Sequence, residues 1–161
     1  MQVSRRQTYE AGPDRVWAML TDPAYRDEVC AATGALSYDV DSEADDAGGT
    51  VRVSRALPAP GHKAVRKLVG DTVTVEQAET WGPAEEDGTR RAELRLVVKG
   101  QPASMTGTST LAPDGSGATL DVEGELRVRI PLVGGSLEKE LATAITAGLA
   151  QELEVGRRYR S

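Results

Sequence analysis

What most constrains this chain is the order of its elements. One strand opens it, two short helices follow, then a run of strands, and one long amphipathic helix closes it. Antiparallel strands that follow one another make one sheet, and a sheet with a single apolar face must be covered. The last helix is the one element long enough to cover it. A sheet that grips a helix leaves space between the two, and that space is where function is expected.

The residue pattern carries this order. Gln2–Glu10 reads as a strand. Gly12-Pro13-Asp14 opens a helix, with Gly as N-cap, Pro at the first helical position and Asp at the positive end of the dipole. Val16, Trp17 and Leu20 form its apolar face. Thr21-Asp22-Pro23 repeats the start signal; Tyr25, Val29 and Cys30 supply the buried side, and Gly34 is the stop. Ala35–Glu43 and Thr50–Leu57 read as strands around an acidic loop from Asp45 to Gly49. Ala64, Val65, Leu68 and Val69 sit at helical spacing between Pro60 and Gly70, which predicts a short extra helix over Pro60–Val69.

Strand pattern resumes at Thr72–Trp81, Arg90–Lys99 and Ala103–Ala112, and a turn over Pro113 to Gly117 follows. Ala118–Ile130 is the clearest strand: Leu120, Val122, Gly124, Leu126, Val128 and Ile130 share one face, and Asp121, Glu123, Glu125, Arg127 and Arg129 the other. Gly124, on the inner face, marks a bend or a close approach to the backbone. Over Leu132–Tyr159, Val133, Leu137, Leu141, Ile145, Leu149 and Leu153 recur every fourth residue, with Ala144 and Gly148 widening the stripe. Such a helix is roughly 40 Å long and crosses a whole sheet.

Particular residues carry a family resemblance. They are Pro13-x-x-Val16-Trp17, Thr21-Asp22-Pro23-x-Tyr25, Leu57-Pro58, Lys67-Leu68-Val69-Gly70, Glu79-x-Trp81, and Ile130-Pro131-Leu132-Val133-Gly134-Gly135 with Leu137-Glu138. In this order the chain resembles the helix-grip superfamily of START-like lipid-binding domains, polyketide cyclases and pollen allergens. Within it the chain resembles the actinobacterial DUF2505 family. The resemblance implies an α+β helix-grip fold: a curved seven-stranded antiparallel sheet around the C-terminal helix, with a hydrophobic cavity. It implies no reaction.

The chain has 161 residues, the size of one domain, 1–161. It has no Phe, two Trp and four Tyr, so a cavity here is walled by aliphatic groups. A net charge of -6 argues against nucleic acid and anionic membranes as partners. Arg157, Arg158 and Arg160 read as complements to the dipole of the last helix. A lone cysteine, no secretion signal and no apolar run of membrane-spanning length make the cytoplasm the expected location. Nothing in the pattern sets an oligomeric state.

The residues with chemistry mostly have plain readings. His62 reads as an exposed loop histidine and Cys30 as a buried thiol. Glu85-Glu86-Asp87 and Asp45-Asp46 read as solvated loops without the ligand spacing of a calcium loop. Gly134-Gly135-Ser136 reads as close packing and not an anion cradle. No metal or cofactor is called for. Trp17 is expected in the core, and Trp81 either caps the core or lines a cavity mouth with its N–H toward water.

The expected cavity is bounded by Leu137, Leu141, Ile145 and Leu149 of the long helix. Leu96, Met105, Leu126 and Val128 face them from the sheet, and Trp81 joins the lining at the mouth if it does not cap the core. Ser104, Thr106, Thr108 or Thr110 would orient a ligand if their side of the strand faces inward. The short helix, with Val65, Leu68 and Val69, is the expected lid. The leading function is binding of a hydrophobic small molecule such as a lipid or polyketide. One alternative is an enzyme of the cyclase or aromatase type, which needs a general acid or base in the cavity. A buried carboxylate near the helix stripe would favour it. Another is an interaction module with a filled interior and no ligand.

Overall fold

The computed structural model describes residues 1–59, 63–129 and 134–159. The elements are β1 (Gln2–Tyr9), α1 (Pro13–Leu20), α2 (Pro23–Ala32), β2 (Ser37–Asp45), β3 (Gly48–Pro58), α3 (Lys63–Val69), β4 (Thr72–Trp81), β5 (Arg90–Val98), β6 (Ala103–Asp114), β7 (Gly117–Val128) and α4 (Gly134–Arg158). The seven strands form one sheet in the order β1-β7-β6-β5-β4-β3-β2, and every neighbouring pair is antiparallel. The excursion through α1 and α2 carries the chain from one edge strand, β1, to the other, β2.

Local chemistry sets the helix boundaries. Pro13 and Pro23 occupy the first turns of α1 and α2, where a missing N–H costs nothing. Asp22 caps α2 by accepting from the Ala24 N–H at 3.0 Å. Gly34 ends α2 with a φ of +80°, a conformation costly for any residue with a Cβ. Of the segment Pro60–Val69, α3 occupies Lys63–Val69; residues 60–62, His62 among them, lie outside the described residues.

The hairpins are tighter than the sequence suggests. Only Asp46 and Ala47 stand between β2 and β3, because Asp45 pairs with Gly48 and Ala44 with Gly49. The supposed loop Asp45–Gly49 is therefore mostly ladder. Likewise β6 and β7 continue to Asp114 and Gly117, leaving a turn of Gly115 and Ser116. Both strand extensions run through Gly, Pro or Asp, residues read as breakers that a hairpin turn tolerates.

Inward residues follow strict alternation. On β5, Ala92, Leu94, Leu96 and Val98 are buried; on β6, Ala103, Met105, Ser109 and Leu111 are buried. Ser104, Thr106, Thr108 and Thr110 consequently occupy the outer face, so they cannot orient a ligand inside; Ser109 is the inward hydroxyl of that strand. Gly107 and Gly124 pair across β6 and β7. A Cβ on Gly107 would strike the Glu123 carbonyl oxygen, and one on Gly124 would lie 3.0 Å from Cγ and Sδ of Met105. The close approach at Gly124 is thus made by the Met105 side chain, which fills the space the missing Cβ leaves.

One apolar cluster joins the sheet to the helices, from Val3 on β1 through Tyr25 on α2 to Leu153 and Val155 on α4. A smaller one holds Cys30, Val51 and Val53 under α2.

Candidate functional site

Three segments converge on one buried cation. Arg26, on the buried side of α2, is 2% exposed. Its Nε donates to the Leu20 carbonyl oxygen at 2.8 Å. Its Nη2 lies 2.8 Å from Oε2 of Glu79 on β4, and its Nη1 lies 3.1 Å from Oε1 of Glu152 on α4. A guanidinium keeps its charge at any ordinary pH, so its burial demands anionic partners. The Tyr25 hydroxyl adds a bond to the Glu152 carbonyl oxygen at 3.1 Å, and the Tyr159 hydroxyl donates to Oδ2 of Asp22 at 2.6 Å. The Tyr25 and Tyr159 rings meet edge-on at 5.5 Å. Together these contacts fasten α2 to the C-terminal part of α4.

The two carboxylates share one guanidinium. Burial pushes the Glu79 carboxyl above its ordinary 4.5, Arg26 draws it back down, and Glu152 pushes it up again. The Gln77 amide donates to Oε2 of Glu79 at 3.2 Å and accepts from Nη2 of Arg55 at 3.3 Å. Nη1 of Arg55 lies 3.5 Å from Oγ1 of Thr33, whose hydroxyl donates to the Val29 carbonyl oxygen at 2.8 Å. A polar chain thus runs from Arg26 through Glu79 and Gln77 to Arg55 and Thr33.

Beside this chain the sheet and α4 part. α4 packs on β1, β7 and α2. Over the other half of the sheet a cavity of about 320 Å³ opens beneath it. Leu57, Val73, Val75, Leu94, Leu96, Val98 and Met105 line it from β3 to β6; Leu141, Ala144, Ile145, Gly148 and Leu149 line it from α4. Thr33, Arg55, Gln77, Gln151 and Glu152 add polar groups to the wall. The volume lies at the low end for small-molecule sites, and an aliphatic lining with few polar groups is their usual composition.

Of the residues expected to bound the cavity, Leu96, Met105, Leu141, Ile145 and Leu149 line it together. Leu126 and Val128 do not, because β7 lies in the half of the sheet on which α4 packs directly. Trp81 is 4% exposed, and its indole nitrogen is buried, so it caps the core and stands at no mouth. In the ladder it pairs with Gly49 and Ala92. The side chains of Leu137, Val65 and Leu68 lie outside the described residues; Val69 is half-buried against the core. Cys30 is fully buried, and burial pushes its thiol pKa up, away from nucleophilic use. Among the described residues no group of three or more His, Cys, Asp or Glu could hold a metal ion.

The polar chain escaped the sequence reading, although its parity was visible. Gln77 and Glu79 share the face of Val73, Val75 and Trp81, and Arg55 shares that of Val51, Val53 and Leu57. Arg26 follows Tyr25 and precedes Val29 by three, which sets it on the buried side of α2.

An antiparallel sheet gripping a long C-terminal helix is the helix-grip fold. Solved structures agree on the fold. The Zhui aromatase/cyclase from a Streptomyces species is 14% identical with a TM-score of 0.66, covering 98% of this chain and 92% of that one. A STAR-related lipid transfer protein from Xanthomonas axonopodis is 18% identical with a TM-score of 0.61, covering 96% and 82%. The chain belongs to the family of proteins of unknown function DUF2505, whose model matches residues 4–159. The uncharacterized protein Rv0481c of Mycobacterium tuberculosis is 30% identical over 99 residues, or 60% of this chain and 55% of the relative. The chain therefore matches about half the length of the curated relatives.

Removing the shared cation tests the network. Arg26→Met leaves Glu79 and Glu152 buried without it, and should cost about 3–5 kcal/mol of stability in urea denaturation; an unchanged midpoint would contradict the account. Glu79 makes a pH-dependent contribution. Between 4.5 and its higher folded value, the folded chain holds a proton that the unfolded chain has lost. Glu79 therefore adds stability as pH falls through that window and removes it as pH rises. Glu79→Gln should abolish this component when the wild-type and variant urea midpoints are compared from about pH 7 down to about pH 5.

Proposed function

We propose that this protein binds a hydrophobic small molecule, lipid-like or polyketide-like, in the cavity between α4 and strands β3 to β6. The carrying observation is the cavity itself: about 320 Å³, aliphatic on the sheet side and the helix side, with polar groups gathered on part of its wall. Burial of apolar surface would supply affinity at roughly 25 cal/mol per Å², less the costs of immobilising the ligand. The volume suits a single chain or a small fused ring, and is far short of a two-chain lipid. The named functions of the two structural neighbours, lipid transfer and aromatase/cyclase, belong to proteins under 25% identical and serve here as analogies.

The carboxylates bear on the enzymatic alternative. Glu152 lines the cavity beside the helix stripe, where a general acid or base would stand, and Glu79, outside the lining, shares Arg26 with it. Both are counter-ions of a permanent cation, an arrangement that suits a structural clamp better than proton transfer. The open interior favours a ligand over a filled interaction module. The free, buried Cys30 suits the reducing cytoplasm we assign to the protein. We assign α3 the role of lid, since it connects Pro58 to Val73 and both line the cavity.

Gly148 offers a direct test. It lies on the cavity wall within α4, and a Cβ there would meet nothing within 4 Å. Gly148→Leu should fill the cavity while improving helix propensity by about 1 kcal/mol. The expected result is a higher melting temperature together with loss of uptake of 1-decanol, followed by native mass spectrometry. Retained uptake in a folded variant would place binding elsewhere. Replacing Lys63–Val69 by a Gly/Ser loop of equal length should speed decanol release in stopped-flow exchange; an unchanged rate would remove α3 from the role of lid.

A further inference from the structure

Arg55 lies on β3, at the polar part of the cavity wall. Its side chain lines the cavity. Its partners among the described residues are both neutral: the Thr33 hydroxyl at 3.5 Å and the Gln77 amide oxygen at 3.3 Å. Its Nε is buried and has no partner. The nearby carboxylates are already engaged, since Glu79 and Glu152 each contact Arg26. Arg26 thus has two anions and Arg55 has none in contact. Arg55 is half-buried, and its buried Nε donor beside an aliphatic cavity is left over for an acceptor that the cavity could bring.

We infer that Arg55 is the anchor for a carboxylate on the ligand. This rests on the cavity-binding reading and narrows it to a class: a single-chain or fused-ring amphiphile with an acid group at the polar wall. A planar carboxylate matches the planar fork of a guanidinium, and Arg55 retains N–H donors for it. Gln77 and Thr33 act as positioning residues. They hold Nη2 and Nη1 by one bond each, which fixes the fork without neutralising it. An ammonium headgroup would meet Arg55 as a like charge and would find Glu152 already paired. An alcohol would make one neutral bond and leave the guanidinium without a counter-ion.

Matched probes separate this inference from the reading beneath it. Binding of decanoate and 1-decanol, and of 2-naphthoate and 2-naphthol, is measured by isothermal titration calorimetry near neutral pH. The acid of at least one pair should bind about tenfold to a hundredfold more tightly than its alcohol, the range of a charge-assisted hydrogen bond. Which pair shows the larger preference distinguishes a chain from a ring as the natural body. Arg55→Gln should erase the preference while alcohol binding survives, and Arg55→Lys should keep only part of it. Equal affinity of acid and alcohol for the wild-type chain would overturn the carboxylate assignment and leave cavity binding intact. Failure of all four probes would overturn both. The wild-type comparison decides the point even if Arg55→Gln does not fold.

Discussion

The buried guanidinium of Arg26 is the interaction on which the rest of the structure depends. It reaches the end of α1 through the Leu20 carbonyl, the sheet through Glu79 and the long helix through Glu152. Hydrophobic burial alone is non-directional and would let α4 settle flat on the inner face of the sheet. A charge buried to 2% exposure is different: it must keep its partners at hydrogen-bonding distance or pay several kcal/mol of uncompensated desolvation. The network therefore fixes where α4 passes over β4.

The cavity follows from that constraint. With α4 fastened to α2 near Glu152 and Tyr159 and packed on β1 and β7, it cannot also close on β3 to β5. Small residues on α4, Ala144 and Gly148, widen the gap that the clamp leaves. The same polar chain that holds the helix continues through Gln77 to Arg55, so an apolar pocket acquires a charged wall without an isolated polar island in the core.

Much of this was legible in the sequence because periodicity and element order report burial. The alternation of Leu120, Val122, Leu126 and Val128 predicted β7, and the four-residue stripe predicted α4; β4 runs over Thr72–Trp81 as read. Hairpin ends were less legible, since Gly48, Gly49 and Gly117 look like loop residues but pair in the ladder. The site was half legible. Aliphatic residues of α4, β5 and β6 could be assigned to an inner face, but which of them touch depends on where α4 tilts away from the sheet. Leu126 and Met105 are ladder partners, yet only Met105 lines the cavity. The polar wall was hidden for another reason: Arg, Glu and Gln on an inward face look like solvent residues until their partners are brought together from β3, β4, α2 and α4.

The most direct test of the central claim is native mass spectrometry of the protein purified from cells that produce it naturally, followed by organic extraction and analysis of the extract. The account predicts a reproducible additional mass on the folded chain, released into the organic phase as one class of small amphiphile. A bare chain mass from such preparations, with no hydrophobic compound in the extract, would contradict it.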